Sequence, residues 1–210
     1  VSQYRITDIG PAYESEDVSD SIYIDGLLTE KVIRDIKKLK KTKKPFFLTA
    51  GFISPHLPFN APKKYWDLYD RNTIKQPENY NYIPKDAPEI SISSWPEMRS
   101  YTNIPGQGPV SDSIAIDLIH GYYATISYTD ALVGKILNAL KEEGLENNTI
   151  VILVSDHGYN LQEHTQWTKF TNYNTSTQVP LIIYNPFSKT KGTTNALTSL
   201  VDIYPTLVEI

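Results

Sequence analysis

An aspartate and a histidine stand side by side directly after an apolar, β-branched run, in the order Thr149–Val154 and then Ser155-Asp156-His157-Gly158. In open α/β sheets ligands collect at the carboxyl ends of strands, where the loops converge. A carboxylate and an imidazole at such an end can both ligate a cation, Asp through a hard anionic oxygen and His through a neutral nitrogen. The same residues also allow Asp156 as a cap and His157 as a hydrogen-bonded core histidine. Gly158 lets the backbone turn away. Glu163, His164, Trp167 and Lys169 follow within the same loop, crowding titratable and aromatic groups where a mere connection needs none. Lys169 can hold a phosphate or sulfate as a point charge, or stay a solvated surface lysine. Trp167 can stack on a sugar ring or pack. A second group lies far upstream, in Ser54-Pro55-His56-Leu57-Pro58-Phe59. Its two prolines restrict the backbone around His56, which suits an imidazole that must deliver a proton, and suits a plain rigid loop equally well. His120 falls at a packing position of a long helix and reads as structural.

The elements that must position these groups follow from periodicity. Leu28, Val32, Ile36 and Leu39 recur at helical spacing from about Asp25, and the helix runs into the lysine-rich stretch Lys37–Lys44, where cations suit the macrodipole. Pro45 opens Phe46–Phe52, which reads as a buried strand. Residues 60–112 hold seven of the chain's fourteen prolines together with many aromatics, which predicts an ordered, irregular excursion. Ser111-Asp112 can cap a long helix to about Glu143, stopped by Gly144, with Leu118, Tyr122, Ile126, Val133, Ile136 and Leu140 as its apolar stripe. Gly121 leaves room for a bend in it. Thr149–Val154 reads as a central strand, and Val179–Tyr184 as another whose start Pro180 places at an edge or entry. Asp202-Ile203-Tyr204-Pro205-Thr206 reads as a capped helix start. Alternating helices and buried strands are the rhythm of a doubly wound α/β sheet.

Composition sets the outer bounds. With 210 residues, 40% hydrophobic and 21% charged, the chain suits one sizeable α/β domain or most of a larger one. A formal charge of −4 gives no basic excess for nucleic acid. There is no cysteine, hence no disulfide and no thiolate-bound zinc within these residues. No run is long enough for a membrane span. A start without Met and an end inside an apolar helix read as a piece cut from a longer protein.

Taken in order, the blocks Pro45-Phe46-Phe47-Leu48, Gly51-Phe52, Pro55-His56-Leu57-Pro58-Phe59, Tyr122-Tyr123-Ala124, Ser127-Tyr128, Asp130, Val133-Gly134, Ser155-Asp156-His157-Gly158, Leu161, Glu163-His164, Trp167, Lys169 and Val179–Ile182 resemble the sulfatase family. Within it they are similar to the branch of iduronate-2-sulfatase and its bacterial relatives, over roughly residues 20–210. The resemblance implies an α/β/α sandwich of the alkaline phosphatase type, here incomplete at both ends, with residues 1–210 forming a partial catalytic domain. It implies a divalent cation, usually calcium, with Asp156 and His157 as two of its ligands. It implies His56 at the ester as the acid for the leaving oxygen and Lys169 on the sulfate oxygens, with Tyr159, His164 and Trp167 lining the substrate.

By the same resemblance the nucleophile is a formylglycine, made from Cys or Ser in a Cys/Ser-x-Pro-x-Arg motif by a formylglycine-generating enzyme. That motif and the family's aspartate pair are absent from these residues, so they are expected upstream of Val1, and the isolated 210 residues are expected to be inactive. Ile53-Ser54 stands where the family more often has His-Lys or His-Arg, Tyr159 where Trp is frequent, Gln162 where Gly is common and Asn174 where an acid is common. A sulfated polysaccharide or oligosaccharide is therefore expected as substrate, without a commitment to iduronate, and a periplasmic or secreted location. Two other readings stay open: a phosphodiesterase or phosphonate monoesterase of the same superfamily, and a non-catalytic carbohydrate-binding relative.

Overall fold

The computed structural model describes residues 10–93 and 97–210. Its elements are β1 (Tyr13–Glu16), α1 (Ile24–Thr42), β2 (Phe59–Pro62), α2 (Lys63–Trp66), α3 (Asp112–Glu142), β3 (Val151–Val154), β4 (Asn160–Leu161), β5 (Trp167–Thr168), α4 (Asn174–Thr177), β6 (Leu181–Tyr184) and α5 (Ile203–Glu209). Short 3-10 turns lie between them. Among the described residues the strands form three two-stranded ladders: β1 with β2 in parallel, β3 with β6 and β4 with β5 antiparallel.

Helix α3 is the spine. Ser111 caps it through a side-chain bond from the Ile114 amide, and Gly144, at φ 66°, follows its end, where a left-handed residue costs glycine least. Its upper half packs Ala115 and Leu118 against Phe59, Met98 and Tyr101; its middle packs Ala124, Tyr128 and Leu132 against Ala61, Tyr65 and Trp66. Its last turns pack Leu140, with Leu145 just beyond, on Val32 and Ile36 of α1. The buried face therefore runs through Tyr128 and Leu132, while Ile126, placed in the apolar stripe by its type, is exposed. Gly121 introduces no bend that breaks the helix. A Cβ there would come within 2.9 Å of Phe59 and Trp66, so its role is the close approach of β2 and α2.

Two strand expectations change. Phe46–Phe52 lies on no ladder among the described residues. Phe46 and Leu48 pack on the α1–α3 cluster, but Phe47 is 80% exposed, so apolar content here marks packing on a helix rather than a paired strand. β3 forms where Thr149–Val154 predicts a strand, yet it is only half-buried and has one partner, β6, every residue of which is exposed. The irregular stretch after β2 contributes Met98, Tyr101, Ile104 and Val110 to the core, which fixes its course over the site.

Asp20 ties α2 and α3 to the N-terminal segment. Its buried carboxylate accepts from Lys135 of α3, Lys64 of α2 and Tyr65, and its backbone carbonyl accepts from the Tyr128 hydroxyl at 2.6 Å. Burial opposes its charge, but the lysine hydrogen bonds outweigh burial and hold its carboxyl below the ordinary value of 3.8. A folded-state value below the unfolded one contributes stability above the unfolded value, and that stability is lost as pH falls through the folded one. Asp20→Asn is therefore expected to lower stability at pH 7 by about 1–2 kcal/mol, at the low end because both lysines are half-exposed and screened. Urea unfolding from pH 7 down to pH 3 checks this; the gap between wild type and variant should close below about pH 4, and a pH-independent gap would contradict it.

Candidate functional site

The His56 loop is held from behind by α1. Asp25, fully buried in the first turn of α1, accepts the Ile53 amide at 2.9 Å on one oxygen and the Ser54 amide at 2.8 Å on the other. An aspartate at a helix start ordinarily caps its own helix. Here both oxygens face a different loop, so the carboxylate carries the orientation of residues 53–54 and, through them, of His56. The peptide bonds Ser54–Pro55 and Leu57–Pro58 are cis. His56 Nδ1 lies 2.7 Å from the Leu57 carbonyl, a contact that an Nδ1–H makes by donating. The His56 ring lies beside the loop that follows β3, 6.4 Å from that of His157.

That loop turns sharply and is pinned twice. Ser155 Oγ donates to the His157 carbonyl at 2.7 Å, and the Gly158 amide donates to the Ser176 carbonyl at 2.8 Å. A Cβ on Gly158 would meet the Thr175 carbonyl oxygen at 2.0 Å, so only glycine fits beside α4. Asn160, fully buried, gathers the loop's far side: its amide donates to the Thr168 carbonyl at 2.9 Å and Ser176 Oγ at 2.8 Å, and its oxygen accepts from Thr175. These bonds set the turn at Thr168, φ 68°, from which Lys169 enters the site.

At the centre stand His56, Lys169 and Glu97. Lys169 Nζ reaches both carboxylate oxygens of Glu97, at 3.0 and 2.8 Å, and also His56 Nε2; His56 Nε2 lies 2.9 Å from Glu97 Oε1. Their side chains are 18%, 13% and 8% exposed for His56, Lys169 and Glu97. Burial raises the Glu97 carboxyl, but the hydrogen bonds from His56 and Lys169 more than offset it, leaving the group below its ordinary value and charged. Nε2 thus has two states with a partner for each: it accepts from the Lys169 ammonium when bare and donates to Glu97 when protonated.

Asp156 and His157 lie next to this group, the His56 and His157 rings 6.4 Å apart. His157 Nδ1 donates to the Gly158 carbonyl at 2.7 Å, which leaves Nε2 as the lone-pair nitrogen, 3.8 Å from Asp156 Oδ2. Asp156 is 86% exposed. A ring whose other nitrogen is held by a carbonyl is how ligating histidines are usually oriented, so the pair fits as one oxygen and one nitrogen ligand of a cation. Two ligands do not make a closed site. Among the described residues no group of three His, Asp or Glu side chains is placed to hold one metal ion, so a cation here would need further ligands.

The other expected site residues make different contacts. Tyr159 is buried in the core, its ring against Phe59 and Tyr122 at 5.8 and 5.5 Å. His164 anchors the irregular stretch: its Nε2 lies 3.0 Å from Asn79 Nδ2, its amide donates to the Asn79 carbonyl at 3.1 Å, and its ring stands between Tyr82 and Tyr173. Trp167 is half-buried in β5 and packs on the core. The structure therefore brings His56, Lys169, Asp156 and His157 near one another, while Tyr159, His164 and Trp167 make the packing and anchoring contacts just described. His120 is structural as read: Nε2 lies 2.9 Å from the Trp66 carbonyl, with the ring on Trp66. Two residues escape sequence reasoning. Nothing in the sequence separates Glu97 from Glu78 or Glu89 in the same stretch, and Asp25 looks like an ordinary helix-start acid.

The family profile "Sulfatase" matches residues 4–210. Mouse iduronate 2-sulfatase is 34% identical over 176 residues, covering 81% of this chain and 32% of that protein. A sulfatase of Formosa agariphila is 33% identical, covering 81% and 33%, and an arylsulfatase of Clostridium perfringens is 31% identical, covering 83% and 36%. The chain thus spans about a third of the length of these relatives. Among solved structures, a Bacteroides fragilis protein described as a sulfatase superposes with a TM-score of 0.66 at 27% identity, over 87% of this chain and 36% of that one. A phosphonate monoester hydrolase from Silicibacter pomeroyi superposes with a TM-score of 0.64 at 20% identity, over 82% and 34%, which is a likeness of fold. The architecture is accordingly the α/β fold of the alkaline phosphatase and sulfatase type.

Asp25→Asn replaces one of two amide acceptors with a donor that faces an N–H, at a cost of about 1–3 kcal/mol. Native-state hydrogen exchange is expected to show faster exchange at Ile53 and Ser54 in that variant. Unchanged protection of both amides would refute the role assigned to Asp25.

Proposed function

Because this chain belongs to the sulfatase family, we propose that it supplies part of the active site of a sulfate ester hydrolase acting on a sulfated sugar. The observation that carries this reading is the convergence of His56 and Lys169, one side chain able to hold a proton at Nε2 and one fixed cation, beside the Asp156–His157 pair. Lys169 Nζ stabilises negative charge on the ester oxygens in the transition state. His56, with Nδ1 committed to the Leu57 carbonyl, carries its second proton on Nε2 and delivers it from there to the leaving sugar oxygen. Asp156 and His157 would hold a divalent cation, calcium by family resemblance. Bound there, it would supply Lewis-acid stabilisation of sulfate oxygens.

The family's nucleophile, a formylglycine in a Cys/Ser-x-Pro-x-Arg motif, has no counterpart in these 210 residues. The proposed reaction therefore needs residues outside them, together with the enzyme that generates formylglycine. A sulfated sugar or polysaccharide is the substrate class the similarity to iduronate 2-sulfatase favours, and a periplasmic or secreted location goes with it.

The test is sulfate release by the full-length protein from sulfated heparin disaccharides and from 4-nitrophenyl sulfate. Lys169→Ala is expected to lower kcat about 10²–10³-fold on both. His56→Ala should cost about 10²–10⁴-fold on the sugar sulfate and much less on 4-nitrophenyl sulfate, whose leaving group is stable without a proton. A wild-type protein that releases no sulfate from either, or that cleaves only phosphodiesters, overturns the reading. Equal losses on the two substrates remove His56 as the acid.

A further inference from the structure

Glu97 sits where the anion of a substrate would be expected to bind. Two groups assigned above to a sulfate ester, Lys169 and His56, both have a carboxylate on them already. Either that carboxylate leaves when substrate arrives or it is a permanent part of the site. Its anchoring favours permanence. Met98, the next residue, is buried in the core with Tyr101. Arg99 closes the turn from the other side, donating to the Pro105 carbonyl at 2.9 Å and the Gly108 carbonyl at 2.6 Å. The 3-10 turn Glu97–Ser100 is thus fastened on both faces, and its carboxylate, 8% exposed, is held by Lys169 and His56 together.

A permanent carboxylate changes the charge that an anion meets. Lys169 alone offers one positive charge; with Glu97 beside it the pair is neutral overall. Sulfate monoesters carry one negative charge, whereas phosphate monoesters carry close to two above a pH of about 6. In a partly desolvated site, a further negative charge a few ångströms from Glu97 is penalised heavily. We propose that Glu97 is a positioning and specificity-determining residue: it holds Lys169 and His56 in one geometry and subtracts a positive charge from the anion site, so that singly charged sulfate esters are accepted over doubly charged phosphate monoesters. This rests on the sulfate ester reading above.

The experiment compares full-length wild type with Glu97→Gln and Glu97→Asp on three substrates sharing one leaving group. These are 4-nitrophenyl sulfate (one charge), 4-nitrophenyl phosphate (two charges) and bis(4-nitrophenyl) phosphate (one charge), all at a pH well above the second phosphate ionisation. Glu97→Gln is expected to raise the kcat/KM ratio of phosphate monoester to sulfate about tenfold, a modest share of one full charge interaction. The ratio of diester to sulfate should stay put, and Glu97→Asp should keep the wild-type selectivity.

An unchanged monoester ratio in Glu97→Gln, with the wild type still cleaving sulfate, overturns this role and leaves the sulfatase reading standing. So does a diester ratio that moves with the monoester ratio, since that marks a reshaped site rather than a recharged one. A wild type without activity on the sulfate overturns both. Should Glu97→Gln fail to fold, wild-type inhibition decides: methyl phenylphosphonate, singly charged, is expected to bind at least as tightly as doubly charged phenylphosphonate, and the reverse order overturns the proposal.

Discussion

A carboxylate taken out of water has to be met by positive charge and hydrogen bonds, or it will not stay ionised. Glu97 satisfies that constraint with Lys169 and His56, and in doing so joins the functional groups of three stretches of chain that also meet in the core. One is the proline-bounded loop before β2, one the loop after β5, and one the irregular stretch between α2 and α3. Each brings its own fastening: Asp25 behind His56, Asn160 behind Lys169, Met98 and Arg99 behind Glu97. Without the ionic contact these fastenings would hold three packed loops whose polar groups do not meet. With it they hold one site.

The contrast with Asp20 is instructive. Both carboxylates are buried, lie below their ordinary titration range and meet cationic side chains. The Asp20 partners, Lys64 and Lys135, are half-exposed helix residues that join α2 and α3 to the N-terminal segment. The Glu97 partners are themselves nearly buried, and one of them is an imidazole. The first arrangement is a clasp. The second keeps a proton-carrying nitrogen and a fixed cation side by side, which a clasp does not require.

Periodicity made the helices legible: α1 and α3 fall where the apolar spacing and Ser111 put them, because a helix face and a cap are local properties. The face of α3 was less legible. Ile126 is apolar by type, but what packs on α3 is decided by β2 and α2, and they select Tyr128 and Leu132. Phe46–Phe52 misled for a related reason, since apolar residues beside a helix and apolar residues in a strand look alike in a short run. At the site, His56, Lys169, Asp156 and His157 could be named from type and spacing. The contacts of Tyr159 and His164 were not legible, because they are made with Phe59, Asn79 and Tyr82, far away in the chain. Glu97 was invisible because its partners lie 41 residues before it and 72 after.

The most direct test of the central claim is a crystal structure of the full-length protein grown with calcium and soaked with sulfate. The account predicts sulfate within hydrogen-bond distance of Lys169 Nζ and His56 Nε2, Asp156 and His157 on the cation, and the Glu97 carboxylate still on Lys169. Sulfate bound elsewhere, or a Glu97 side chain turned out of the site to admit it, would contradict the account.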